Sequence, residues 1–349
     1  MTTPVAKTIG LLTGGGDCPG LNAVIRAVVR ASDAEGWDPV AVVEGWRGLV
    51  DGRFRDLGPP EVSGILPRGG TIIGTSRTNP YKLDGGVENV LQNFHDRGLD
   101  ALVAIGGEDT LGVAARLYRE HQLPIVGVPK TIDNDLSGTD YTFGFDTAVT
   151  VATEAIDRLH TTAESHNRVM VVEVMGRHAG WIALHSGISG SADVILIPEI
   201  PFDIRKVCEK IQRRESEGRH FSIVVVAEGA APKGGTVSLI DPEHERLGGI
   251  GDKVANSIQE MTGKETRTLV LGHLQRGGSP TTFDRLLGLR FGAAAVRVIA
   301  EGKFGTMVAL RPPAIAPIPI AEALAMPKLV PLDSDTIATA RDLGISLGD

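Results

Sequence analysis

Two short clusters of ionisable residues stand close together in a chain of 349 residues: Gly106-Gly107-Glu108-Asp109-Thr110 and Pro129-Lys130-Thr131-Ile132-Asp133-Asn134-Asp135. Carboxylates such as Glu108, Asp109, Asp133 and Asp135 hold hard divalent cations through oxygen. A carboxylate within reach of a hydroxyl can also take its proton. Lysine places a compact positive charge where phosphate oxygens would sit. A metal, a polyphosphate and a general base are the chemistry these residues suit. A third stretch, Thr13-Gly14-Gly15-Gly16-Asp17-Cys18-Pro19-Gly20, offers glycines through which backbone amides can approach a phosphate. It is neither a P-loop lysine motif nor a spaced dinucleotide fingerprint, and a ligand-free turn explains it equally well.

The elements that must position these residues follow from periodicity. Apolar runs over 101–105 and 124–128 are strands, and Leu111, Ala114, Ala115 and Tyr118 recur between them at helical spacing. Both clusters therefore lie at carboxyl ends of strands, where open α/β sheets bind ligands. The glycine turn likewise joins a strand over 9–12 to a helix over 21–32, and another strand covers 39–43. Beyond Asp135 a polar connection enters a helix over 147–162. Strands at 169–174, 194–197, 221–227 and 265–271 alternate with helices at 204–217, 252–262 and 282–300. The last of these helices is expected to bury Leu286, Leu289, Ala293, Val296 and Ile299. The segment 233–251 reads as a mobile glycine-rich loop, and a proline-bearing extended stretch precedes a terminal helix near 333–342. The pattern predicts two doubly wound α/β domains with parallel sheets.

Composition narrows the function class. A net charge of −8 argues against nucleic acid or an anionic membrane as partner, though local arginines can still receive an anionic substrate. Two cysteines give no disulfide framework and point to a reducing cytoplasm. No apolar run is long enough to span a membrane, and residues 1–10 do not read as a signal peptide.

TGGGDCPGLN, GGEDT, PKTIDND, VVEVMGRHAG and ETRTLVLGHLQRGGSPTTFDR resemble, in order and spacing, the motifs of the 6-phosphofructokinases. The resemblance runs from about residue 9 to 296. It implies Mg²⁺-dependent phosphoryl transfer to the 1-hydroxyl of fructose 6-phosphate, giving fructose 1,6-bisphosphate in glycolysis. It also implies an active site in the cleft between two domains. Residues 1–144 with about 275–325 would bind the phosphoryl donor, and 145–274 with about 326–349 the sugar phosphate.

By the same resemblance Asp133 is the general base, and Thr131, Lys130 and Arg177 complete the catalytic group. Gly15, Arg77, Gly107, Asp109, Thr110 and Lys130 would hold the donor, and Glu108 the Mg²⁺. Thr131, Asp133, Asp135, Arg168, Met175, Gly176, Arg177, Glu228, Arg267, His273 and Arg276 would hold the sugar phosphate. Two of those arginines would reach in from a neighbouring subunit, which makes the protein a homodimer or homotetramer. His178 and His185 are expected to be structural.

The donor is read from two positions. Asp109 stands where ATP-dependent members carry glycine, and a carboxylate at about 4 Å from a nucleotide phosphate costs roughly 4 kcal/mol at an effective dielectric of about 20. Lys130 stands where those members often have glycine, and the pyrophosphate-dependent members resemble PKTIDND. Both favour inorganic pyrophosphate. ATP is the alternative donor, with Asp109 then a helix cap and Lys130 a solvated charge. A kinase of another substrate and a non-catalytic sugar-phosphate sensor on the same scaffold are the remaining rivals.

Overall fold

The computed structural model describes residues 7–241, 243 and 246–349. Residues 1–6 of the amino-terminal stretch, and 242, 244 and 245 of the expected mobile loop, lie outside the described residues. The chain forms two compact units. The first comprises Met1–Ile132, Leu136–Thr147 and Arg276–Pro327, and the second Asp133–Asp135, Ala148–Gln275 and Lys328–Asp349.

The first unit is built on a seven-stranded sheet. Its strands are β1 (Thr8–Thr13), β2 (Asp38–Val42), β3 (Phe54–Asp56), β4 (Ala101–Gly106) and β5 (Ile125–Pro129). In the second unit run β6 (Val169–Val174), β7 (Val194–Leu196), β8 (Ser222–Ala227), β9 (Leu239–Asp241), β10 (Arg246–Leu247) and β11 (Thr266–Val270). The chain then returns to the first sheet with β12 (Thr306–Arg311) and β13 (Ala314–Pro319). Strand order in the first sheet is β13-β12-β5-β4-β1-β2-β3, and in the second β11-β6-β8-β7. The central strands β4, β5, β6 and β8 are buried throughout. That is why they read as continuous apolar runs and not as alternating ones.

Two features of the topology place the functional motifs. The first sheet reverses direction between β1 and β4, the switch point where doubly wound sheets open a crevice. The parallel register then pairs Thr13 with Ile105 and Gly106 with Pro129, so the glycine turn, the Gly107–Thr110 motif and Lys130 leave adjacent strands at one edge. In the second sheet Val174 pairs with Ala227 and Glu173 with Val270, which brings Met175, Glu228 and Leu271 out side by side.

Several expectations need correction. The first sheet is not wholly parallel, because β3 and β13 join its edges antiparallel. Short edge strands of this kind were hidden by their brevity and by the prolines in β13. The segment expected to be a mobile loop includes the β9–β10 hairpin. The helix expected over 147–162 spans Phe145–His166. In the helix Thr282–Ala300, Leu286 is 57% exposed and Leu289 and Ala293 are half-buried, whereas Val296 and Ile299 are buried as expected, together with Leu287, Phe291, Ala294, Ala295 and Val298. The buried face packs on the helix Leu21–Ala34, where a Cβ on Gly292 would meet Ala27. Among the described residues, no helix is long and apolar enough to cross a membrane.

Candidate active site

In the first unit the donor motifs meet around one threonine. The helix Glu108–His121 starts directly after β4, and Thr110 in its first turn is buried against the glycine turn. A Cβ on Gly14 would overlap the Thr110 side chain, which explains why only glycine fits there. The segment bearing Arg77 is stitched onto the same turn. Gly15 donates its N–H to the Ser76 carbonyl at 2.9 Å, and the Thr75 hydroxyl donates to the Gly15 carbonyl at 2.7 Å. Buried Asn22 fixes the preceding loop, donating to the carbonyls of Arg68 and Gly69 and accepting from Ile72 N–H.

Above this floor lies a cavity of about 530 Å³ lined by Gly15, Ser76, Arg77, Asn79, Asp109 and Thr110, among others. Asp109 is therefore not a cap: the cap position is Gly107, and Asp109 is an exposed second helical residue facing the cavity. Lys130 is not a solvated charge either. It is 4% exposed, and its ammonium donates to the Gly16 carbonyl beneath the turn. Arg276, expected at the sugar phosphate, reaches the same turn, donating to the Asp17 carbonyl at 3.3 Å.

Glu108 lines a second cavity, of about 460 Å³, with Asn79, Tyr81, Asp109, Arg116 and Leu324. Among the described residues no three His, Cys, Asp or Glu side chains gather into a metal site. Mg²⁺ does not need such a cage, since it keeps several waters and binds through one or two carboxylates plus substrate phosphates. Exposed Glu108 beside Asp109, both in the first turn of one helix, is a donor set of that kind.

Asp133 and Asp135 flank Asn134, which is buried and adopts a left-handed φ of 53°. Asparagine tolerates that conformation, and in the tight turn Asp133 and Asp135 are both half-buried. Thr131 is half-buried, its carbonyl accepting from the Thr142 hydroxyl at 2.8 Å.

In the second unit Met175, Gly176 and Arg177 follow β6, and Glu228 follows β8. Gly229 N–H donates to the Gly176 carbonyl at 3.2 Å, and a Cβ on Gly229 would overlap the Arg177 carbonyl. Met175 N–H is held by Gln275 Oε1 at 2.8 Å. His273 lies exposed beyond β11 in the turn Gly272–Arg276. These residues gather at the carboxyl edge of the sheet.

Arg168 and Arg267 do not join them. Both sit at the amino ends of β6 and β11 and share Glu265, whose carboxylate forms an ion pair with Arg168 Nε at 2.9 Å and also pairs with Arg267. Arg168 first, and then Arg267, hold the Glu265 carboxyl below the usual range. The six residues of β6 at about 3.3 Å each put this pair roughly 20 Å from Met175 along the strand.

His178 is exposed, whereas His185 packs edge-on against Trp181 at 5.9 Å. Burial, assisted by Lys328, lowers the His185 pKa, which suits a neutral packing role. Gln275, Asn22 and Glu265 were not singled out from the sequence, although all three lie inside the quoted motifs. Asn22 and Gln275 meet partners remote in sequence, as does Glu265 in its pairing with Arg168, so no local pattern marks those contacts.

Residues 8–299 match the phosphofructokinase family model. The chain is similar to the pyrophosphate–fructose 6-phosphate 1-phosphotransferase of Amycolatopsis methanolica, 60% identical over 329 residues, which are 93% of this chain and 96% of that protein. It is also similar to the ATP-dependent 6-phosphofructokinase of Chloroflexus aurantiacus, 54% identical over 352 residues and 98% of each chain. Among solved structures, Pichia pastoris phosphofructokinase in the T-state superposes with a TM-score of 0.82 at 35% identity, covering 97% of this chain and 39% of that one. The chain belongs to the phosphofructokinase family.

Proposed function

We propose that this protein transfers a phosphoryl group from inorganic pyrophosphate to the 1-hydroxyl of fructose 6-phosphate. The observation that carries the reading is the pairing of Asp109, which faces the donor cavity, with buried Lys130 beneath its glycine turn. A carboxylate in that wall disfavours a nucleotide's additional phosphate, while the lysine charge favours a compact dianionic donor. The 60% identical relative carries a pyrophosphate-dependent name, which supports the same donor.

Phosphoryl transfer is largely a matter of positioning and charge neutralisation. Arg77, Gly15 and Thr110 line the donor cavity and would orient the pyrophosphate. Asp133 accepts the proton of the attacking hydroxyl, and Thr131 and Arg177 steady the group in transit. Glu108 would hold Mg²⁺, which supplies charge neutralisation on the phosphate oxygens. Glu228, Met175, Gly176 and His273, on one sheet edge, would bind the sugar phosphate, with Asp135 and Arg276 contributing from the base turn and the glycine turn.

Because Arg168 and Arg267 lie at the other end of their sheet, one chain cannot direct them at the phosphate held by Met175 and His273. They serve a neighbouring protomer, so the active form is a homo-oligomer acting in the cytoplasm. ATP is the second reading, favoured by the cavity beside Asp109 and by relatives named as ATP-dependent.

The test is formation of fructose 1,6-bisphosphate from fructose 6-phosphate, pyrophosphate and Mg²⁺, with Asp133→Ser alongside. The parent should turn over and the variant should lose at least about a hundredfold in kcat. An active Asp133→Ser enzyme would remove the base assignment.

A further inference from the structure

The Asp133–Asp135 turn is anchored, within the second unit, by a segment from near the end of the chain. Lys328 N–H donates to the Asp135 carbonyl at 2.8 Å. The Lys328 carbonyl in turn accepts the indole N–H of Trp181 at 2.9 Å, and its ammonium lies 5.4 Å from the indole ring. Two residues on, Val330 N–H donates to Glu199 Oε1 at 2.9 Å. The same carboxylate accepts Gly180 N–H, at 3.0 and 3.1 Å to its two oxygens. Val330 is 2% exposed, and Gly180 is buried against Ile197.

We infer that residues 328–330 form a strap through which Trp181 and Glu199 act as positioning residues for Asp133. The strap ties the base turn to the start of the helix Trp181–Ser189, four residues beyond Arg177. This rests on the reading of Asp133 as the base. Both side chains act through backbone groups, Trp181 by orienting the Lys328 peptide and Glu199 by fixing Val330 against Gly180. A carboxylate bonded to N–H groups makes stronger hydrogen bonds than a neutral acceptor, which favours Glu199 as the fixed point. The left-handed Asn134 leaves little slack between the Asp135 carbonyl and Asp133, so a shift at one reaches the other. A misplacement of about 1 Å in a catalytic group can cost on the order of a hundredfold in rate.

The experiment uses the full-length enzyme with fructose 6-phosphate, pyrophosphate and Mg²⁺. Trp181→Phe keeps the ring and removes the N–H donor; Glu199→Gln keeps one acceptor and removes the charge. Each should lower kcat roughly tenfold while both KM values stay within about twofold. Ser334→Ala, which removes the cap of the helix Asp335–Asp342 without touching the strap, should lower the melting temperature and leave kcat unchanged. Parental kcat in both Trp181→Phe and Glu199→Gln overturns the inference. So does an equal loss of kcat in Ser334→Ala, which would reduce the strap to general stability. An active Asp133→Ser overturns the base and the strap together. An inactive Asp133→Ser beside fully active strap variants overturns the strap alone.

Discussion

The ammonium of Lys130 donates to the carbonyl of Gly16, so a buried positive charge lies directly under the glycine turn of the donor cavity. Gly15 is close by, a Cβ there lying 3.6 Å from the lysine nitrogen. The charge therefore closes the turn from beneath. Lys130→Met keeps most of the side chain's length and volume and should lose about 1.5–3 kcal/mol of donor interaction, a ten- to hundredfold fall in kcat/KM for pyrophosphate. Steady-state kinetics with donor varied at saturating sugar phosphate reads this directly. An unchanged kcat/KM would leave Lys130 with a purely structural role.

The shared carboxylate of Glu265 fixes Arg168 and Arg267 as one unit at the amino edge of their sheet. If they complete a neighbour's site, two inactive variants should rescue each other. Mixing Arg267→Ala with Asp133→Ser by unfolding and refolding together should restore about a quarter of parental activity if the subunits pair at random. Two sites confined to single chains would give no recovery in the mixture.

Asp284 supplies a pH dependence unrelated to turnover. It is fully buried and accepts from Thr147 N–H at 2.8 Å. Burial raises its pKa from 3.8 to about 6, Asp146 adding to the shift and the Thr147 and Gly144 hydrogen bonds opposing it. The folded state thus binds this proton more tightly than the unfolded state. Stability falls as pH rises from about 4 to about 6, and the full cost of about 3 kcal/mol persists above that window. Asp284→Asn should therefore gain stability relative to the parent between about pH 4.5 and pH 7, as read from urea midpoints. A constant difference across that range would show that Asp284 does not titrate there.

Gln275 holds the Met175 N–H, so its amide orients the loop that carries Arg177. Gln275→Leu should leave that half-buried N–H without its partner and destabilise the protein by about 1 kcal/mol, with KM for fructose 6-phosphate rising. Thermal melts together with sugar-phosphate titrations check both effects, and a rise in melting temperature would contradict them.

Much of the site was legible because strand ends are. Once the runs at 101–105, 124–128 and 169–174 were read as buried parallel strands, the motifs after them had to share an edge. Arg168 and Arg267, grouped by motif with the sugar-phosphate residues, stand instead at the opposite edge, since one precedes β6 and the other lies at the start of β11. What could not be read was set by pairs remote in sequence. Glu199 meets Val330 and Gln275 meets Met175 across separations that no local period encodes. Leu286 was misassigned for a related reason. The helix Thr282–Ala300 buries small residues, Gly288, Gly292, Ala294 and Ala295, so that another helix can approach closely, and its large leucine at 286 points outward. Glu108 and Asp109 are neighbours in sequence, yet only Asp109 borders both cavities, whereas Glu108 borders the second alone.

Donor choice is the central claim, and it rests on the Asp109 wall and the Lys130 floor. The most direct test measures kcat/KM for pyrophosphate and for ATP in parallel, on one preparation, at matched free Mg²⁺ and saturating fructose 6-phosphate. A preference for pyrophosphate of at least about a hundredfold is predicted, the roughly 3 kcal/mol expected from one repelling and one attracting charge. Turnover with ATP equal to or above that with pyrophosphate would contradict it.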